Sequence, residues 1–175
     1  GLPESPDYKR PEEAARKLLS GKASSIFNCP CRQAVYADLK DASAVNKAVL
    51  GKALSAQSFG ILPKIRELDE YLAAHAEIRP RVLESHPELC FAMLSGSPVL
   101  ESKRTPEGQQ KRLDILSPLC PEVRGAVEHA GFPKKKAALD DLIDAACLAV
   151  VARLSLEQPL KTVPERPQKD ARGLI

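Results

Sequence analysis

Tryptophan is absent from this 175-residue chain, which holds only four Phe, three Tyr and one Met. So few rings argue against a base-stacking platform of the kind single-strand binders use. Long apolar runs are missing too. The longest, Ala145 to Ala152, stops at Arg153 after eight residues, well short of the ~18–20 a membrane-spanning helix needs. Strand formers are scarce: Val, Ile, Phe and Tyr together supply 24 residues, whereas Ala and Leu supply 23 each. That balance favours helix and makes a β-sandwich or barrel hard to build. Neither sign of charge dominates, with 26 Lys and Arg against 23 Asp and Glu. No histone-like excess points to nucleic acid by charge alone.

Other signatures are lacking as well. The first residues carry no secretory signal pattern. The five cysteines, Cys29, Cys31, Cys90, Cys120 and Cys147, are odd in number and scattered, unlike a disulfide framework. A reduced, cytoplasmic protein is expected. Cys29-Pro30-Cys31 has no second pair at zinc-finger spacing, so structural thiols are expected there. No Gly-x-Ser-x-Gly elbow and no Gly-rich phosphate loop occurs. What is present is an ordinary globular composition, 43% hydrophobic and 28% charged, in a length suited to one domain, 1–175.

The pattern along the chain is helical. Pro11 with Glu12 and Glu13 fits a helix start, and Ser20-Gly21 its end. Short helices are expected over 32–39 and 41–50, the second stopped by Gly51. Ile61, Ile65, Leu68 and Leu72 recur at helical spacing, predicting an amphipathic helix over 58–75 that Pro63 either kinks or starts. Further helices are expected over 88–94, 106–116, 121–129 and 137–154. Residues 22–80 thus read as a helical insertion and 159–175, with Pro159, Pro164 and Pro167, as an extended tail. Residues 81–85 are the best strand candidate. Lys134 to Lys136 form a short basic run that reads as a solvated loop rather than a phosphate contact.

Two constellations carry chemistry. Asp140, Asp141 and Asp144 crowd the start of the 137–154 helix, and the apolar run after them should be buried on most sides. Asp141 and Asp144 share a face that continues into Ala145 and Leu148. Paired carboxylates in a half-buried place repel, and a divalent cation such as Mg²⁺ or Mn²⁺ relieves them. The bland alternative is helix capping. The second constellation is His86-Pro87-Glu88, directly after the strand candidate. Strand ends are where α/β proteins place ligand groups, while a first-turn Glu after an N1 proline is the plain reading.

In order along the chain come Gly1-Leu2-Pro3, Ser24-Ser25-Ile26-Phe27 with Pro30 and Arg32, Gln57-Ser58-Phe59, His86-Pro87-Glu88-Leu89-Cys90-Phe91, Lys103 to Gly108, Arg112 and Asp140-Asp141-Leu142-Ile143-Asp144-Ala145. Pro167, Asp170 and Arg172-Gly173-Leu174 follow. This succession resembles the domain-of-unknown-function family 429, whose members are described as predicted RNase H-like nucleases. The resemblance implies an α/β, RNase H-like fold with acids converging on metal. It implies Glu88 and one or both of Asp141 and Asp144 as catalytic, metal-binding residues for Mg²⁺ or Mn²⁺. By their charge, Arg32, Lys64, Lys103 and Arg112 are candidate anion contacts for a phosphorylated substrate, and His86 adds a further substrate contact. Family members carry strands and further acids before Gly-Leu-Pro, and none of these is in this chain. The expectation is therefore a predominantly helical chain with few short strands, inactive or nearly so alone. Robust Mg²⁺-dependent cleavage by this chain would sink that expectation.

Three functions stand side by side: a Mg²⁺-dependent phosphodiesterase with nucleic acid as partner, a non-catalytic helical interaction module, and an enzyme on a small phosphorylated substrate. No membrane partner is expected. Self-association through exposed apolar surface is.

Overall fold

The computed structural model describes residues 1–133 and 136–174. Lys134 and Lys135, most of the expected basic loop, lie outside the described residues.

Nine α-helices are found among the described residues: α1 (Glu12–Leu18), α2 (Arg32–Tyr36), α3 (Leu39–Leu50), α4 (Ala56–Gly60), α5 (Leu62–Ala74), α6 (Pro87–Ser95), α7 (Pro106–Leu116), α8 (Val123–Glu128) and α9 (Leu139–Leu154). Two short 3₁₀ turns, Ala23–Ser25 and Arg79–Arg81, complete the list. No strand occurs among the described residues. The strand expected over 81–85 is not formed. Arg81 closes a 3₁₀ turn, and the extended residues after it have no ladder partner. Val82 and Leu83 there are exposed, so no second face packs on them.

The chain forms two compact units. The first comprises Gly1–Ala15, Ile26–Glu84 and Thr162–Ile175, the second Arg16–Ser25 and Ser85–Lys161.

In the first unit α2 packs on α3 and α5, and α4 on α5. Leu2, Val35, Ala42 and Leu62 form its core. The helix expected over 58–75 is two helices. The chain breaks at Ile61, and Pro63 sits in the first turn of α5, where its missing N–H costs nothing. Gly51 ends α3 at φ 72°, a left-handed conformation that glycine adopts without a Cβ clash. Cys31 caps α2: its Sγ accepts from the Ala34 N–H, and its own N–H donates to Asn46 Oδ1 at 2.7 Å. Burial pushes the neighbouring Cys29 thiol up to about 12. Both are thus structural thiols.

The segment expected to be a tail holds no helix or strand among its described residues and is tied down. Tyr8 Oη donates to the Gln168 carbonyl at 3.0 Å, and Lys9 N–H to Gln168 Oε1 at 2.8 Å. Asp170 Oδ2 accepts from the Leu2 N–H (3.0 Å), and its Oδ1 from the N–H groups of Arg172 and Leu174 (2.9 Å each).

In the second unit α9 is the central helix, packed by α6, α7 and α8. Phe91 from α6, Leu113 and Leu116 from α7, Val127 from α8, and Ile143, Cys147 and Val150 from α9 make one core cluster. The expectation that α9 is buried on most sides is corrected. It buries the stripe Ile143, Cys147 and Val150, while Ala145, Ala149 and Ala152 face solvent. Methyl side chains on the outer face let a helix read as apolar all round without being buried all round.

Candidate functional site

The second unit holds six of the residues singled out for chemistry, His86, Glu88, Lys103, Arg112, Asp141 and Asp144. Glu88 lies in the first turn of α6 after Pro87, the plain reading of His-Pro-Glu, and not at a strand end. Its side chain is nearly buried. Both carboxylate oxygens accept from Arg112 Nη2, at 2.6 and 2.8 Å. Arg112 is fully buried on α7. Its Nη1 donates to the Gly108 carbonyl (2.9 Å) and the Glu101 carbonyl (3.1 Å), and its guanidinium lies over the Phe91 ring, 5.5 Å from the centroid. A guanidinium so enclosed serves as the counter-ion of Glu88, while its Nε is buried without a partner.

Gly108 is what lets this geometry close. A Cβ built there would meet the Ser102 carbonyl oxygen at 2.0 Å, so only glycine permits α7 to approach that turn. Thr105 caps the helix, its Oγ1 accepting from the Gly108 N–H at 3.2 Å.

Asp144 is half-buried on α9. Its Oδ2 receives Lys103 Nζ at 2.6 Å, and the same ammonium stands 3.6 Å from Asp140 Oδ2. Asp140 and Asp144 are four residues apart and so share a helix face. One cation therefore bridges two carboxylates. Asp144 Oδ1 is buried with no hydrogen-bond partner. Burial raises the Asp144 carboxyl above its ordinary range, and the Glu88 carboxylate adds to this, against the opposing pull of Lys103 and Arg112. Burial would lower the Lys103 ammonium, but its hydrogen bond to Asp144 and the charges of Asp144, Asp140 and Asp141 raise it on balance.

Asp141 is elsewhere. It is exposed, and its Oδ2 accepts from the Ala138 N–H at 3.1 Å, closing the N-terminus of α9. The partner of Asp144 across a shared cation is Asp140, not Asp141. Spacing of three and spacing of four both keep residues on one face, so the sequence pattern alone did not choose between them. His86 precedes α6. Its Nε2 lies 3.2 Å from the Ser25 carbonyl, and its Nδ1 is buried without a partner.

Arg32 belongs to the first unit. It donates to Glu4 (2.6 Å), to both oxygens of Asp69 (2.6 Å) and to Asp170 (2.6 Å). Arg172 Nη1 and Tyr36 Oη reach the same Asp69 carboxylate, at 2.7 Å each. This is a saturated ion network joining α2, α5 and the C-terminal segment. Sequence reasoning missed Asp69 because nothing local marks it. Two surface depressions, one beside Lys64 and Tyr71 and one beside Arg79 and Leu174, contain no residue of these charged clusters.

Among the described residues no group of three His, Cys, Asp or Glu side chains is arranged to hold a metal ion. Mg²⁺, however, is commonly held by one or two carboxylates with water and substrate phosphate completing its shell. The Asp140 and Asp144 pair, already sharing one cation and keeping a partnerless buried oxygen, fits that smaller requirement. Glu88, engaged by Arg112, fits it less well.

With this geometry in hand, comparison with known proteins gives one result. Residues 1–169 match the family described as a protein of unknown function, DUF429, and the chain belongs to that family. No curated protein matches the chain, and no solved structure does. No described helix is long and apolar enough to cross a membrane.

Proposed function

We propose that this chain belongs to a Mg²⁺- or Mn²⁺-dependent phosphodiesterase of the RNase H-like kind that acts on nucleic acid, with Asp144 as the central metal ligand and Asp140 beside it. The observation that carries this reading is the Lys103 ammonium held between two carboxylates, one with a buried oxygen lacking any partner. A bound divalent cation would supply Lewis-acid polarisation of a phosphoryl oxygen and a nucleophilic water at neutral pH. Asp144 and Asp140 supply hard oxygen donors on one face of α9. Lys103, whose ammonium stands beside the same two carboxylates, would offer positive charge to a phosphate there. Arg112 positions Glu88, holding its carboxylate in one orientation beside Asp144.

A second reading, a non-catalytic helical module, has its own support. Arg112 occupies both oxygens of Glu88, and Asp141 is spent on a helix cap. In that reading the charged cluster fixes how α6, α7 and α9 pack.

Calorimetry with Mn²⁺ and Mg²⁺ separates the two. The phosphodiesterase reading expects binding by the wild type, its loss in Asp144→Asn, and tighter binding in Lys103→Met, where the competing ammonium is gone. A wild type that takes up neither ion, or an Asp144→Asn variant that binds as well as wild type, removes the metal site and leaves the helical module.

A further inference from the structure

Helix α5 in the first unit has two distinct faces. One buries Leu62, Asp69 and Leu72, with Ile65 partly buried against the same core. The other is exposed. Ile61 at the helix N-cap, then Lys64, Leu68 and Tyr71, stand at steps of three and four and so line one stripe, with Glu67 at its edge. Ile61 is 48% exposed, Leu68 53% and Tyr71 51%. A surface depression on this face is lined by Lys64, Glu67, Leu68 and Tyr71. The Tyr71 ring is held in place by stacking on His75, with centroids 4.2 Å apart. Lys64 and Glu67 have no ion-pair partner among the described residues. Large apolar side chains grouped on one stripe, with a tyrosine already ordered, are what the core of an interface uses.

The order of charge along the stripe selects the occupant. The face is apolar at Ile61, positive at Lys64, negative at Glu67 and apolar again at Leu68 and Tyr71. An identical helix laid antiparallel presents the same order reversed. In the register that sets position 64 against position 67, Lys64 meets Glu67 of the second copy, and Glu67 meets its Lys64. The same register seats Ile61 of each copy between Leu68 and Tyr71 of the other. Parallel packing in register would instead set lysine against lysine and glutamate against glutamate. A phosphate on Lys64 is disfavoured, because the Glu67 carboxylate stands three residues away at the edge of the same stripe. We propose that this α5 face is a self-interface, on which two copies of the chain pair across a two-fold axis through antiparallel α5 helices. Each contact then occurs twice, as a two-fold axis demands. The seam spans only about three helical turns, so the dimer is weak and reversible.

Sedimentation equilibrium of the full chain, from about 1 to 100 μM and without divalent cation, covers the range in which a weak dimer forms. The wild type is expected to rise from 19.0 kDa toward twice that mass. Leu68→Glu should hold it at the monomer mass. Lys64→Glu and Glu67→Lys should each raise the dissociation constant at least about tenfold, because like charges then face each other. Combined in one chain, the two changes should return it to within about threefold of wild type, since the antiparallel register pairs the exchanged charges again. An equimolar mixture of the two single variants should associate as well. The substituted side chains are exposed, and circular dichroism checks that each variant keeps its helices. If Leu68→Glu unfolds, the charge exchange and the mixture decide without it. A wild type that stays at 19.0 kDa throughout overturns the proposal. So does a dimer that folded Leu68→Glu leaves intact, which uses another face, or a charge exchange that fails to recover association.

Discussion

Arg112 and Glu88 show how one side-chain pair changes meaning once its surroundings are known. Glu88 reads in sequence as an acid beside a histidine, available for chemistry. Its partner lies 24 residues away on another helix, a separation across which no local pattern connects the two. Removing one partner of a buried pair leaves a charge with no counter-ion, typically costing about 3–5 kcal/mol. Arg112→Leu is therefore expected to lower the urea midpoint sharply. Arg112→Leu combined with Glu88→Leu should recover much of that loss, because two apolar groups of similar volume replace a desolvated pair. A double variant no more stable than the single one would show that the pair is not the cause. Gly108 was legible only as part of the Lys103 to Gly108 run. Its reason, the Ser102 carbonyl, is tertiary. Gly108→Ala forces α7 away from that turn and should cost about 1–3 kcal/mol, as overpacked sites do, measured by the same unfolding curves.

At the scale of elements, helix positions followed closely from the sequence. α3 stops at Gly51, α7 starts after Thr105 at Pro106, and α9 runs to Leu154, because caps, prolines and apolar spacing act within a turn or two. Thr105→Ala removes the hydroxyl that accepts from Gly108 and should cost about 1 kcal/mol in thermal or urea unfolding. The lone strand expected over 81–85 failed for a physical reason: a strand is a pairing, and none of the described residues pairs with it. On α9 the choice among three aspartates was settled by Lys103, which reaches Asp144 and Asp140 while Asp141 caps the helix. Burial raises the Asp144 carboxyl, so protons compete with metal there at higher pH than at an ordinary carboxylate of about 3.9. Mn²⁺ affinity, if the site is as proposed, should fall as pH drops through that raised value, and calorimetry across a pH series follows it. The sign for folding is the reverse. Ionising Asp144 is harder in the fold than in the unfolded chain, so it costs stability above its folded pKa and costs nothing below its unfolded one.

At the scale of the molecule, each unit is closed by charge as well as by apolar packing. In the first, Asp170 gathers the N–H groups of Leu2, Arg172 and Leu174 and the guanidinium of Arg32. Burial by itself would raise its carboxyl, but those N–H groups and Arg32 lower it on balance below 3.8. Its contribution is therefore present above pH 3.8 and is lost as pH falls through the lower folded value. Asp170→Asn should reduce stability at neutral pH and flatten the acid limb of a pH–stability curve. An unchanged acid limb would place the acid sensitivity in other carboxylates.

The sequence by itself determined that this protein is helical, where most of its helices begin or end, and that its short motifs resemble those of its family. Those properties depend on contacts within a few residues, which composition and spacing record directly. Only the tertiary structure decided which charge meets which: Glu88 with Arg112, Asp144 and Asp140 with Lys103, and Arg32 with Asp69 and Asp170. Such pairings form between distant segments, and their strength comes from burial. Neither the partner nor the burial is written in the local order of residues.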